Sequence, residues 1–144
     1  MRQLDLYSFR CGVMECFCEM VHAGVKDLAL SHPFSSPEER REYLEFAADV
    51  SGRYGLSFFL EDDPLITDLF PVTMNRDKCN IIFYRDDAGR DAYLQLKEKK
   101  QTLKARGLYC GHFRIELARR YGRLLSYPES RIKALIEKNT EREP

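Results

Sequence analysis

The chain has 144 residues, 44% of them apolar and 32% charged, and its 23 basic residues balance 23 acidic ones. That length suits one domain of ordinary size, which buries roughly two-thirds of its unfolded surface and needs no disulfide or metal to fold. The composition excludes collagen-like, low-complexity and disordered chains. No apolar run approaches the ~20 residues of a membrane span and Met1–Asp5 has no signal-peptide core, so the expectation is a cytoplasmic globular protein with no membrane partner.

In chain order, Leu4, Leu6 and Phe9 predict a short strand, and Gly12 to Ala23 a helix with Val13, Cys16, Phe17, Met20 and Val21 inward. Gly24 ends that helix, and Val25 to Leu30 form a buried-type strand that stops at Ser31-His32-Pro33. Ser36, Pro37 and Glu39 make a capping box with proline at the first helical position, opening a helix that Gly55 closes. Leu56 to Leu60 follow as a strand, cut off by Glu61-Asp62-Asp63-Pro64. Residues 64–78 are irregular but too apolar for a free linker, and Cys79 to Tyr84 read as a fourth strand. Asp86 or Asp87 caps a long helix to about Arg106, with Ala88, Ala92, Leu96 and Leu103 inward. Helices over Phe113–Leu125 and Pro128–Asn139 complete the chain, and residues 140–144 are expected to fray.

Strands alternating with helices predict a single α/β domain over 1–144. A small, mostly parallel sheet of about four strands is covered by helices, and a helical C-terminal segment follows. Residues 1–85 form the alternating half and 86–139 the helical, basic half. Exposed sheet edges and the aromatic-rich helix over 37–54 suggest a homodimer.

The charge balance hides an asymmetry. Residues 1–74 carry 6 Lys and Arg against 13 Asp and Glu, and residues 75–144 carry 17 against 10. Lys97, Lys100 and Lys104 fall at i, i+3, i+7 on one helix face. Arg119, Arg120 and Arg123 form a second cationic group, interleaved with Tyr109, Phe113 and Tyr121. Cations with stackable rings suit an anionic partner, RNA or protein, whereas Glu116 paired with Arg119 or Arg120 would make an ordinary solvated face.

In an open parallel sheet, ligands bind at the carboxyl ends of the strands. That rule nominates Arg10, Cys11, His32, Asp62, Asp63 and Arg85. His32 with Asp62 and Asp63 could hold a divalent metal or form a base with orienting acids, and Arg10 or Arg85 could clamp an anion. The plain alternative is that the aspartates cap turns and His32 sits in a turn before proline. Cys11, beside a helix start, is a candidate reactive thiol if exposed. The five cysteines are odd in number and irregularly spaced, so reduced thiols are expected, and Cys11, Cys16 and Cys18 lack zinc-site spacing. The phosphate-loop, dinucleotide, nucleophile-elbow and H-E-x-x-H motifs are absent, and no cofactor is implied.

Residues 122–131, Gly-Arg-Leu-Leu-Ser-Tyr-Pro-Glu-Ser-Arg, resemble the G-[RK]-L-L-G-Y-P-E-C-C tag of a small, mostly archaeal family of unknown function. Ser126 stands where that tag has glycine, and Ser130 and Arg131 stand where it has paired cysteines. The resemblance implies a divergent member and brings no activity. The residues alone predict a helix–turn–helix packing element. Two functions follow as expectations: a binding domain whose basic half meets an anionic partner, or a small-molecule or metal-dependent enzyme built around His32, Asp62 and Asp63.

Overall fold

The computed structural model describes residues 1–144. Three strands, β1 (Leu28–Leu30), β2 (Ser57–Glu61) and β3 (Asn80–Tyr84), form one sheet in the order β1-β3-β2. Both pairings are antiparallel, so the expected mostly parallel sheet of about four strands is corrected.

Two causes account for the difference. The first expected strand is the start of helix α1 (Leu6–His22), in which Asp5 caps the end by accepting from the Ser8 amide. Leu6, Phe9, Val13 and Phe17 recur at helical spacing, and the apparent alternation of Leu4 and Leu6 was too short to distinguish the two periods. The second cause is direction. The helical link between β1 and β2 does leave them pointing the same way, but β3 enters between them, antiparallel to each. The β2–β3 link has no crossover helix, only the one-turn α4 (Val72–Asn75).

The expected helix over 37–54 is two helices, α2 (Pro37–Arg41) and α3 (Leu44–Tyr54). Ser36 caps α2 by accepting from the Glu39 amide, and Glu39 reaches back to the Ser35 amide. At the break, the amides of Glu42 and Tyr43 tighten to three-residue bonds on Glu39 and Arg40. That turn delivers the Tyr43 ring between Tyr7 and Phe34, 4.9 Å from each, and Phe46 and Tyr54 also pack inward. The aromatic rings that suggested a dimer face are therefore largely spent on the core. Gly55 closes α3 in the left-handed conformation, at φ +66°.

Helices α5 (Asp87–Ala105), α6 (Gly111–Leu124) and α7 (Glu129–Lys138) form the C-terminal layer. Asp86 caps α5, and the buried stripe runs through Gly89, Tyr93, Leu96 and Leu103, one position on from the expected Ala88 and Ala92. Strand alternation divides the core in two. Ala29, Phe58, Ile81 and Phe83 face α1 and α3, whereas Leu28, Leu30, Phe59, Ile82 and Tyr84 face α5, α6 and α7.

The tag segment has a packing explanation. A Cβ at Gly122 would stand 2.7 Å from Ile132 Cγ1, so only glycine lets α6 and α7 approach this closely. Ser126 adopts φ +68° and the Tyr127 amide bonds the Gly122 carbonyl, a left-handed helix stop that explains glycine at that place in the tag. The C-terminal tail is docked where fraying was expected. The Glu141 carbonyl accepts from the Val72 amide, and Glu143 accepts from Lys100 at 2.7 Å. No helix is long and apolar enough to cross a membrane.

Candidate ligand-binding cavity

The antiparallel sheet still puts the ends of β1 and β2 at the same edge, because both flank β3 in the same direction. His32 and Asp62 nevertheless line different cavities. Asp62 is engaged by Arg40 at 2.7 Å, and the Asp63 amide turns back onto Glu61. No group of three or more His, Cys, Asp or Glu side chains comes together closely enough to hold a metal, so the His32, Asp62, Asp63 set is not assembled. Arg85 lies at the opposite end of the sheet, after Tyr84, beside Asp86. Cys11 is buried inside α1, and that burial pushes its thiol up, the reverse of an activated cysteine.

Many of the nominated cations are committed internally. The β2–β3 link offers backbone groups that no helix or sheet ladder satisfies, and side chains take them up. Lys97 bonds the Asp63 carbonyl and the buried Glu61 carboxylate, and Lys100 bonds the Ile66 carbonyl and Glu143. Arg114 holds buried Asp68 through two 2.8 Å bonds. Arg123 reaches Glu116 and Glu129, in place of the expected pairing of Glu116 with Arg119 or Arg120. Tyr121 is core, Tyr109 is half-buried between Lys100 and Arg114, and only Phe113 stays exposed, stacked with His112. Lys104, Arg119 and Arg120 have no carboxylate within 4.0 Å.

An apolar opening lies beside the edge strand β1. A cavity of about 580 Å³ runs between α1, β1, the β2–β3 link and the α6–α7 turn. Its walls are mainly apolar: Phe9, Val13 and Phe17 from α1, Leu30 from β1, Phe70 from the link and Leu125 from the turn. This volume falls in the range of small-molecule sites. It exists because the two helical layers grip opposite faces of the sheet while β1 is only three residues long, so neither layer covers the edge.

Polar groups sit at both ends. At one end are Arg10, His32 and Asn80. Arg10 donates to Glu39 at 3.0 Å and to the Tyr43 hydroxyl, so its charge is matched. His32 stands edge-on to Phe34, and desolvation together with the Arg10 cation lowers its pKa, keeping it neutral at pH 7. Asn80 is 1% exposed, and its carboxamide oxygen has no hydrogen-bond partner. At the other end, the Lys26 ammonium donates to the Leu125 carbonyl at 2.6 Å and lies 5.5 Å over the Phe17 ring. Burial lowers its pKa.

Arg10 and His32 were thus legible from sequence, for a rim that proved antiparallel. Asn80 and Lys26 were missed. Asn80 had a signal: it interrupts the apolar face that Ile82 and Tyr84 continue. Lys26 had none, being one lysine in a connecting turn. Comparisons with family models, with curated proteins and with solved structures find no match.

Proposed function

We propose that the protein is a binding domain for a small amphipathic molecule held in the cavity beside β1. The observation that carries this reading is the cavity's lining, mostly apolar walls that end at the Lys26 ammonium, which lies over the Phe17 ring and has no carboxylate within 4.0 Å. Val13→Trp, which fills the middle of the cavity, abolishes binding of the probe anilinonaphthalene sulfonate with little change in melting temperature. Native protein that fails to bind the probe, or binding that survives this substitution, would overturn the reading.

A second reading places an anionic macromolecule, RNA or a protein surface, on the outer side of α5 and α6. It is favoured by Lys104, Arg119 and Arg120, exposed cations without carboxylate partners. Charge reversal at Arg119 and Arg120 weakens such binding broadly and flattens its salt dependence. Lys97 and Lys100 are unsuitable for that test, because reversing them breaks buried contacts.

A further inference from the structure

Residues 140–144 bury no apolar side chain, yet the body of the protein holds them through a row of donors. The Val72 amide donates to the Glu141 carbonyl and the Thr73 hydroxyl to the Glu141 carboxylate, each at 2.8 Å. Lys100 donates to the Glu143 carboxylate at 2.7 Å, and the Tyr109 hydroxyl reaches the same oxygen at 3.5 Å. Arg114 donates to the Glu143 carbonyl at 2.6 Å. The Glu141 amide turns to Asn139, and Arg142 folds back onto the Ile136 and Asn139 carbonyls at the end of α7. The groove formed by α4, α5 and the start of α6 therefore meets alternate residues of the tail, and it meets them with donors alone.

The same groove is short of one anion when the tail is set aside. Lys97, Lys100, Lys104 and Arg114 surround it together with Glu61, Asp63 and Asp68, and Glu143 evens the count. Lys97 is engaged by Glu61 and Arg114 by Asp68, so Lys100, with a side chain 13% exposed, is the cation that depends on Glu143. An ammonium this far from water is costly without a counter-ion. Beside Glu143 a hollow of about 290 Å³, lined by Lys100, Gln101 and Lys104, leaves room for a longer or more acidic occupant. The tail holds its place by polar contacts and by its tether, which acts as an effective concentration on the order of millimolar. A stronger ligand in trans can displace it.

We infer that this groove is a docking site for an acidic segment of a partner protein, with carboxylates two residues apart, and that Glu141-Arg142-Glu143 fills it in the partner's absence. The inference is independent of the cavity beside β1. Val72 and Arg114 take main-chain carbonyls, so the occupant is a peptide and not a nucleic acid. A second copy is the poorer occupant, because exchanging identical tails adds no contact and costs the freedom of two chains.

The test keeps the full chain and reverses the tail, Glu141→Lys with Glu143→Lys, which drives the tail away from Lys100 and Arg114. The probe is the capped peptide Thr-Glu-Arg-Glu-Pro, a copy of residues 140–144, and the control is Thr-Arg-Glu-Glu-Pro, equal in charge but with adjacent carboxylates. In isothermal titration the reversed-tail chain is expected to bind the probe at least about tenfold more tightly than native protein does. It is also expected to favour the probe over the control by about tenfold, the low end for one charge-assisted bond. Glu143→Gln gives a smaller gain with the same preference, and it carries the test if the double variant melts too low to titrate. Tail variants that bind the probe no better than native protein, or that bind probe and control alike, overturn the docking site. A native dimer that Glu143→Gln dissociates overturns the partner protein in favour of a second copy's tail.

Discussion

The two faces of the sheet are held by different means. On the α1–α3 face, thiols, aromatics and aliphatics pack around α1 and α3 with polar ties at the periphery, Arg10 to Glu39, Arg53 to Glu15 and His22 to the Tyr54 carbonyl, while buried Arg40 of α2 donates to the Glu61 and Asn80 carbonyls of the sheet. On the α5–α7 face, buried polar groups reach the sheet and its links. Tyr93 donates to Glu61 at 2.8 Å and accepts from the Leu65 amide, while Asn139 donates to the Asp68 and Phe70 carbonyls. The difference follows from the irregular β2–β3 link, whose backbone must find partners without a ladder and finds them in α5, α6, α7 and the tail. Charge asymmetry between the halves of the chain is thus partly an internal matter: two of the buried pairs, Lys97 with Glu61 and Arg114 with Asp68, join one half to the other.

The sharpest way to break this contrast is to remove one arginine from each side. Arg114→Met leaves the Asp68 carboxylate, 2% exposed, without its cation and is expected to cost about 3–5 kcal/mol in urea unfolding. Arg53→Met removes two surface pairs whose members are 39–64% exposed and costs at most about 1 kcal/mol. Equal losses would show that the C-terminal layer is not anchored through its buried charges.

A smaller effect comes from the α6–α7 turn. Ser126 holds φ +68° at a cost that glycine does not bear, so Ser126→Gly should stabilise the C-terminal layer by about 0.5–1 kcal/mol. Loss of stability would mean that the serine contributes more to the unfolded ensemble or the turn than its backbone strain costs.

Legibility of the sequence divided along similar lines. Features set within a few residues were visible: the Ser36 and Asp86 caps, the Gly55 stop, the strands ending at Leu30 and Tyr84, and the turn at Ser126. Features set by distant partners were not. Nothing local says that β3 enters between β1 and β2, and the order and direction of strands decide which strand ends share a cavity. The basic stripe was legible as charge, but the Lys97–Glu61 and Lys100–Glu143 pairs lie 36 and 43 residues apart in sequence. His32 and Arg10 were nominated by a parallel-sheet rule that does not describe this sheet. They share a cavity because α1 lies antiparallel to β1, a packing relation that no spacing encodes.

The least costly test leaves the folded state unaltered and asks which face opens first. Cys16 and Cys110 are exposed, whereas Cys11, Cys18 and Cys79 are buried. Burial pushes all three of these thiols up, Cys18 to about 12, and shields their sulfurs from reagent, so they react when the structure opens. Cys11 and Cys18 belong to α1, whose side-chain polar ties run to α2 and α3 and whose outer face borders the cavity. Cys79 adjoins β3, the central strand, and its backbone pairs with Phe34. If α1, whose polar ties are peripheral, opens by itself, Cys11 and Cys18 label together and before Cys79, at a rate that does not respond to Arg114→Met. Simultaneous labelling of all three, accelerated in step by that substitution, would instead mean that the sheet and both layers open as one cooperative unit.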